Sequence, residues 1–140
     1  MNNPFSEAVF DMGWKLQMEI PFFGKQCKIE ILAEAYRETE KATDAQIASY
    51  DEFSRNSEGI LKKVQRLLAY EAGDEKTAEC RFSPVMLHIS QNGNYALLFD
   101  DSEDYENGIV VTIKPELKVM AWISISDRAD TKKRCRDTCL

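Results

Sequence analysis

The sequence predicts an α+β domain: a single antiparallel sheet of about six strands with its helices packed on one face. Three observations carry that expectation. Runs of strict apolar–polar alternation occupy both the early and the late part of the chain. One central segment carries apolar residues at helical spacing instead, and turn residues punctuate the alternating runs at hairpin distances. Hairpin-linked strands on either side of one helical insert indicate α+β rather than alternating α/β.

Residues 1–12 include Phe5, Val9, Phe10 and Met12 and read as a loose turn of helix. The first strand is expected over residues 14–20, with Trp14, Leu16, Met18 and Ile20 on one face and Lys15, Gln17 and Glu19 on the other. Pro21 to Lys25 turns the chain. A second strand over residues 26–33 points Cys27, Ile29 and Ile31 one way and Lys28 and Glu30 the other. After a polar loop, Thr43-Asp44-Ala45-Gln46 matches a capping box, in which the threonine hydroxyl takes an amide of the first turn and the glutamine reaches back. Ile47, Tyr50 and Phe53 follow at helical spacing, then Ile60, Val64, Leu67 and Leu68. Arg55-Asn56-Ser57 interrupts them, leaving open one bent helix or two over residues 43–72. Gly73 suits the helix end, and residues 74–83 read as a connector.

Four strands complete the order strand, strand, helix, helix, then four strands. Val85, Leu87 and Ile89 alternate with Met86, His88 and Ser90, and Tyr95, Leu97 and Phe99 with Ala96, Leu98 and Asp100. Asn92-Gly93 between them signals a type I′ hairpin, whose two central residues need positive φ. Two more strands are expected over residues 109–113 and 118–124, turning at Lys114-Pro115-Glu116. The helices should cover the sheet face that collects Leu16, Ile29, Leu97 and Val111.

With 140 residues, the chain can bury a full core without disulfides or metal. Residues 1–130 form the expected domain, and residues 131–140 a basic, disordered tail. Up to position 130 the chain has 14 basic and 23 acidic residues, a net charge of −9, whereas the tail carries +3. Such a body repels nucleic acid and attracts basic partners. No apolar run approaches the ~18 residues of a membrane span. The first residues lack the basic flank and apolar stretch of a signal peptide, so a cytoplasmic location with no membrane partner is expected. Cys27, Cys80, Cys135 and Cys139 then read as free thiols. Cys135 and Cys139 lack a second ligand pair, and His88, the sole histidine, is remote in sequence, which argues against zinc.

The most informative surface stretch is residues 100–108, an expected loop with five acids in nine positions: Asp100, Asp101, Glu103, Asp104 and Glu106. It lacks the glycine at loop position six and the glutamate at twelve that an EF-hand needs. The residues leave open a solvated loop, a protein-binding patch, or a looser cation site on Asp100, Asp101 and Asp104. A solvated acidic loop offers none of the pKa separation that carboxylate catalysis requires. His88 is expected on the exposed sheet face without a nucleophile motif beside it. No glycine-rich phosphate loop is present. The composition implies no catalytic residues and no cofactor.

Leu97-Leu98-Phe99-Asp100-Asp101, then Asp104, then Asn107-Gly108-Ile109-Val110-Val111 resembles a family of small bacterial cytoplasmic domains of unknown function. That family carries an "llFDxDwdxehGigV" segment in this position, an N-terminal hairpin resembling residues 14–33 and a helix resembling residues 43–70. Tyr105 takes roughly the aromatic place, and Asn107 stands where histidine is usual. The resemblance covers residues 14–127 and includes no catalytic signature. It implies an immunity protein that blocks a polymorphic or contact-dependent growth inhibition toxin by binding it. A regulatory or housekeeping domain of unknown ligand is the alternative. For the immunity reading, the expected partner-binding residues are Asp100, Asp101, Glu103, Asp104 and Glu106, with Tyr105 and Phe22 as loop aromatics that anchor the contact.

Overall fold

A computed structural model of the chain describes residues 3–6 and 8–121, apart from the side chains of Tyr105 and Ala121. The expected tail, and the end of the last strand with Trp122, lie outside the described residues. The elements run β1 (Val9–Phe10), β2 (Gly13–Phe22), β3 (Lys25–Glu34), α1 (Asp44–Ala72), α2 (Glu75–Arg81), β4 (Phe82–Ile89), β5 (Tyr95–Asp101), β6 (Asp104–Lys114) and β7 (Lys118–Ala121). The fold is α+β, with one seven-stranded sheet in sequence order from β1 to β7.

The sheet is mixed, which corrects the antiparallel expectation. β3 and β4 run parallel, with Glu30 opposite Met86 and Ala33 opposite Ile89, while every other neighbouring pair is antiparallel. The physical reason is the crossover. α1 and α2 carry the chain across one sheet face and return it to the end at which β3 began, so two strands joined this way must pair in parallel. Residues 9–10 form a strand rather than a turn of helix. They pair with Trp14 and Lys15 after a tight reversal at Met12, whose φ is 63°.

α1 begins as its sequence signals. Thr43 Oγ1 accepts from Gln46 N–H at 3.1 Å, and Gln46 Oε1 accepts from Thr43 N–H at 2.9 Å. The helix is one bent element, with non-helical dihedrals at Asn56, and Gly73 caps it at φ 103°. Residues 75–81, expected as connector, form α2 behind Asp74, which accepts from Thr77 N–H at 2.7 Å. Seven residues are too few to display a helical period, but the Asp74 cap, Glu75 in the first turn and Arg81 in the last fit the helix dipole.

The core lies between the sheet and the helices. Ile29, Ile31, Leu87, Leu97, Phe99 and Val111 are buried there against Phe53, Leu61, Val64 and Leu68 of α1, and Leu16 is half-buried beside them. On the opposite sheet face Ala96, Leu98 and Val110 form a second, smaller buried cluster flanked by Met86 and Met120. His88 lies on that face, half-buried rather than exposed. Gly93 has the expected positive φ of 95°, but Asn92 does not. The β4–β5 turn is therefore no type I′ pair. Gly93 N–H donates to the Ser90 carbonyl and Ser90 N–H to the Asn94 carbonyl, the pattern of a three-residue loop with glycine in the last, left-handed place.

Candidate protein-binding surface at the β5–β6 tip

The acidic stretch is a tight hairpin end, not a loop. Asp101 pairs with Asp104, and only Ser102 and Glu103 turn between them. β6 then carries extra residues before Ile109 realigns with Phe99, so the strand bulges at its acidic start.

Asp101 does not belong to the surface. It is 4% exposed and paired with Arg81 of α2, itself 6% exposed. Arg81 Nε and Nη2 donate to the two carboxylate oxygens at 2.8 and 2.9 Å, a fork-to-fork contact. Asp101 Oδ1 also accepts from Glu103 N–H at 2.9 Å, and the Arg81 carbonyl accepts from Ser102 N–H at 2.8 Å. The guanidinium lies 4.9 Å from the centre of the Phe82 ring, a cation–π contact. Both the side chain and the backbone of Arg81 thus fasten the hairpin tip to the end of α2. A buried charge without a partner would be costly, and the Arg81 guanidinium supplies the opposite charge for the enclosed Asp101 carboxylate.

The remaining predicted residues divide by burial. Asp100, Glu103 and Glu106 are exposed, and Glu103 stands 3.8 Å from Arg81 Nε. Asp104 is half-buried and accepts from the Asn107 side-chain amide at 3.2 and 3.4 Å. Asn107 is itself buried, with an Oδ1 that has no hydrogen-bond partner. The side chain of Tyr105 lies outside the described residues. Phe22 is a correction: it ends β2 with 4% exposure, packed 5.3 Å from the Phe99 ring and 4.7 Å from Phe23. A side chain enclosed in the core has no face left to anchor a partner. The tip therefore gathers Asp100, Glu103 and Glu106 at the surface, supports them with Asp104 and Asp101, and leaves Phe22 inside.

Sequence reasoning missed Arg81 because α2 itself went unread. A basic residue in the last turn of an Asp-capped helix was the available signal.

Elsewhere, a groove of about 660 Å³ opens beside the kink of α1, lined by Glu52, Arg55, Lys63, Tyr95, Ile113 and Lys114 among others. The Tyr95 hydroxyl donates to Glu52 Oε1 at 2.7 Å, and burial together with that carboxylate pushes the phenol well above its usual pKa. None of the predicted residues lines this groove. Among the described residues no three of His, Cys, Asp or Glu converge to hold a metal ion, and no helix is long and apolar enough to cross a membrane. Comparison of the chain with protein-family models, with curated proteins and with solved structures finds no match in any of the three.

Proposed function

We propose that this chain is an immunity protein, a stoichiometric inhibitor that binds a bacterial polymorphic or contact-dependent growth inhibition toxin domain in the cytoplasm and blocks it without catalysis. The observation that carries the reading is the β5–β6 tip, where Asp100, Glu103 and Glu106 lie exposed on a hairpin end that a buried ion pair fastens to α2. Preorganised charge loses little freedom on binding, so more of its attraction appears as affinity. The rest of the molecule adds to the field, with a net charge of −9 up to position 130. A basic toxin domain, such as a nuclease whose own substrate is polyanionic, is the matching partner. The resemblance at residues 97–111 points the same way.

Expression of the chain in cells exposed to the toxin encoded beside its gene is expected to restore growth. Absence of protection, or of a toxin gene there, rejects the reading. Changing Asp100 to Asn with Glu103 and Glu106 to Gln should slow association, reduce its salt dependence and weaken protection, because steering acts over a Debye length of about 8 Å at physiological ionic strength. Folding stability should stay within about 0.5 kcal/mol, as for ordinary surface changes. Unchanged association kinetics would show that the partner contacts another surface.

A further inference from the structure

The outer edge of β2 is open over most of its length. β1 covers only Trp14 and Lys15, and no other strand lies on that side among the described residues. Pairing parity tells which groups face outward. Asp11 N–H donates to the Gly13 carbonyl at 2.8 Å, so Phe10 and Trp14 form a non-hydrogen-bonded pair and Val9 and Lys15 a hydrogen-bonded one. Even-numbered residues of β2 therefore direct their backbone groups to β3, and odd-numbered ones outward. Beyond β1, Gln17 and Glu19 each present an N–H and a C=O, and Pro21 presents a C=O alone. No described protein group takes them. Leu16 and Met18 are half-buried on the helix side, while the Gln17 and Glu19 side chains are exposed on the other.

A second copy of the chain does not fit this edge. Antiparallel self-pairing centred on Gln17 or Met18 drives the copy's strand into the place that β1 occupies. Centring on Glu19 sets two carboxylates directly opposite each other, which is unfavourable. Centring on Ile20 aligns Glu19 with Pro21, which has no N–H to give. These devices defend an edge against its own kind while leaving five residues accessible to a foreign strand.

We propose that the edge from Leu16 to Ile20 is a docking site for an extended basic segment of a different protein, which joins the sheet as an added strand. Main-chain bonds to Gln17 and Glu19 hold it. Apolar residues at alternate positions extend the row of Leu16, Met18 and Ile20. On the other face a Lys or Arg of the segment stands opposite Glu19, whose outer side carries no charge; Lys28 lies on its inner side, on β3. The net charge of −6 on the whole chain favours the approach of such a segment. This site stands independently of the inhibitor reading, because its test needs no toxin.

The probe is a capped heptapeptide alternating valine and lysine with lysine at its centre, added antiparallel, with controls in which glutamate replaces lysine or that central lysine is N-methylated. At about ten times its Kd the lysine peptide should slow amide exchange of Gln17 and Glu19 about tenfold. The N-methylated control should lose that protection, and Glu19→Lys should reverse the preference toward the glutamate peptide. Gln17→Pro removes an outward N–H that the sheet does not use, so it should fold and fail to bind. Unprotected Gln17 and Glu19 amides would overturn the proposal. So would protection confined to the β5–β6 tip, or a dimer of the protein alone that protects the same two amides.

Discussion

At the Ile89 end of β4, Gln46 of α1 sits fully enclosed, and its Nε2 donates to the carbonyls of Glu34 at 2.9 Å and Ile89 at 3.0 Å. The same side chain completes the capping box, while Thr43 Oγ1 donates to the Gln91 carbonyl and Ser49 Oγ to that of Gly93. At the Phe82 end, the fastening is the Arg81–Asp101 ion pair. Both devices bind a helix terminus to the strands with buried polar atoms. The amide joins the ends of β3 and β4, which are fixed neutral carbonyls, and carries no net charge into the core. The ion pair holds a turn rich in like charges, where only a cation offsets the repulsion among neighbouring carboxylates. The neutral clamp serves the architecture. The charged clamp presents a surface.

Breaking one clamp at a time sharpens that contrast. The largest effect is expected from Arg81→Ala or Asp101→Ala, each leaving one buried charge uncompensated at a cost of about 3–5 kcal/mol in urea unfolding. The double change Arg81→Met with Asp101→Leu should recover part of that stability while the tip loses its fixed geometry. Gln46→Leu should cost about 2–4 kcal/mol, since it strands two carbonyls and one amide whose desolvation goes unmatched. It should leave binding kinetics unaltered, and a changed association rate would mean the two ends are coupled. Gly93→Val should cost about 2–3 kcal/mol through a β-branched residue at positive φ. A Cβ there also meets Ala45 and Ser49 of α1 at 3.1 Å, so the loss reaches the neutral clamp.

The smallest effect concerns pH. Burial holds the His88 imidazole below its usual range, with the Glu34 carboxylate opposing. The unfolded chain therefore binds a proton where the folded one does not, and stability should fall as pH drops below about 6.5. His88→Gln should flatten that slope in a melting series from pH 7 to 5. An unchanged slope would assign it to other groups.

What the sequence discloses follows from the range of the interactions. Strand alternation, the Thr43–Gln46 box and the break at Asn56 are local, and each appears where its residues lie. The β4–β7 meander was legible for the same reason, since short turns join neighbouring strands. The parallel β3–β4 pair was not, because period-two alternation says nothing about direction. Asp101 and Phe22 looked exposed among polar and turn residues. Their burial depends on Arg81 and Phe99, which are remote in sequence. Gln46 read as a cap alone, for its carbonyl partners belong to other elements.

The parallel seam has a kinetic consequence. All other pairings join strands linked by short turns, so the β1–β3 and β4–β7 units can each form at the pace of local contacts. The seam closes a loop containing both helices, and that entropy is lost before Ile31 and Leu87 come side by side. Until then β3 and β4 are raw edges flanked by apolar rows, each able to pair with the wrong chain. The helical insert therefore does more than fill one face: the speed with which α1 docks sets how long a newly made chain remains vulnerable to aggregation.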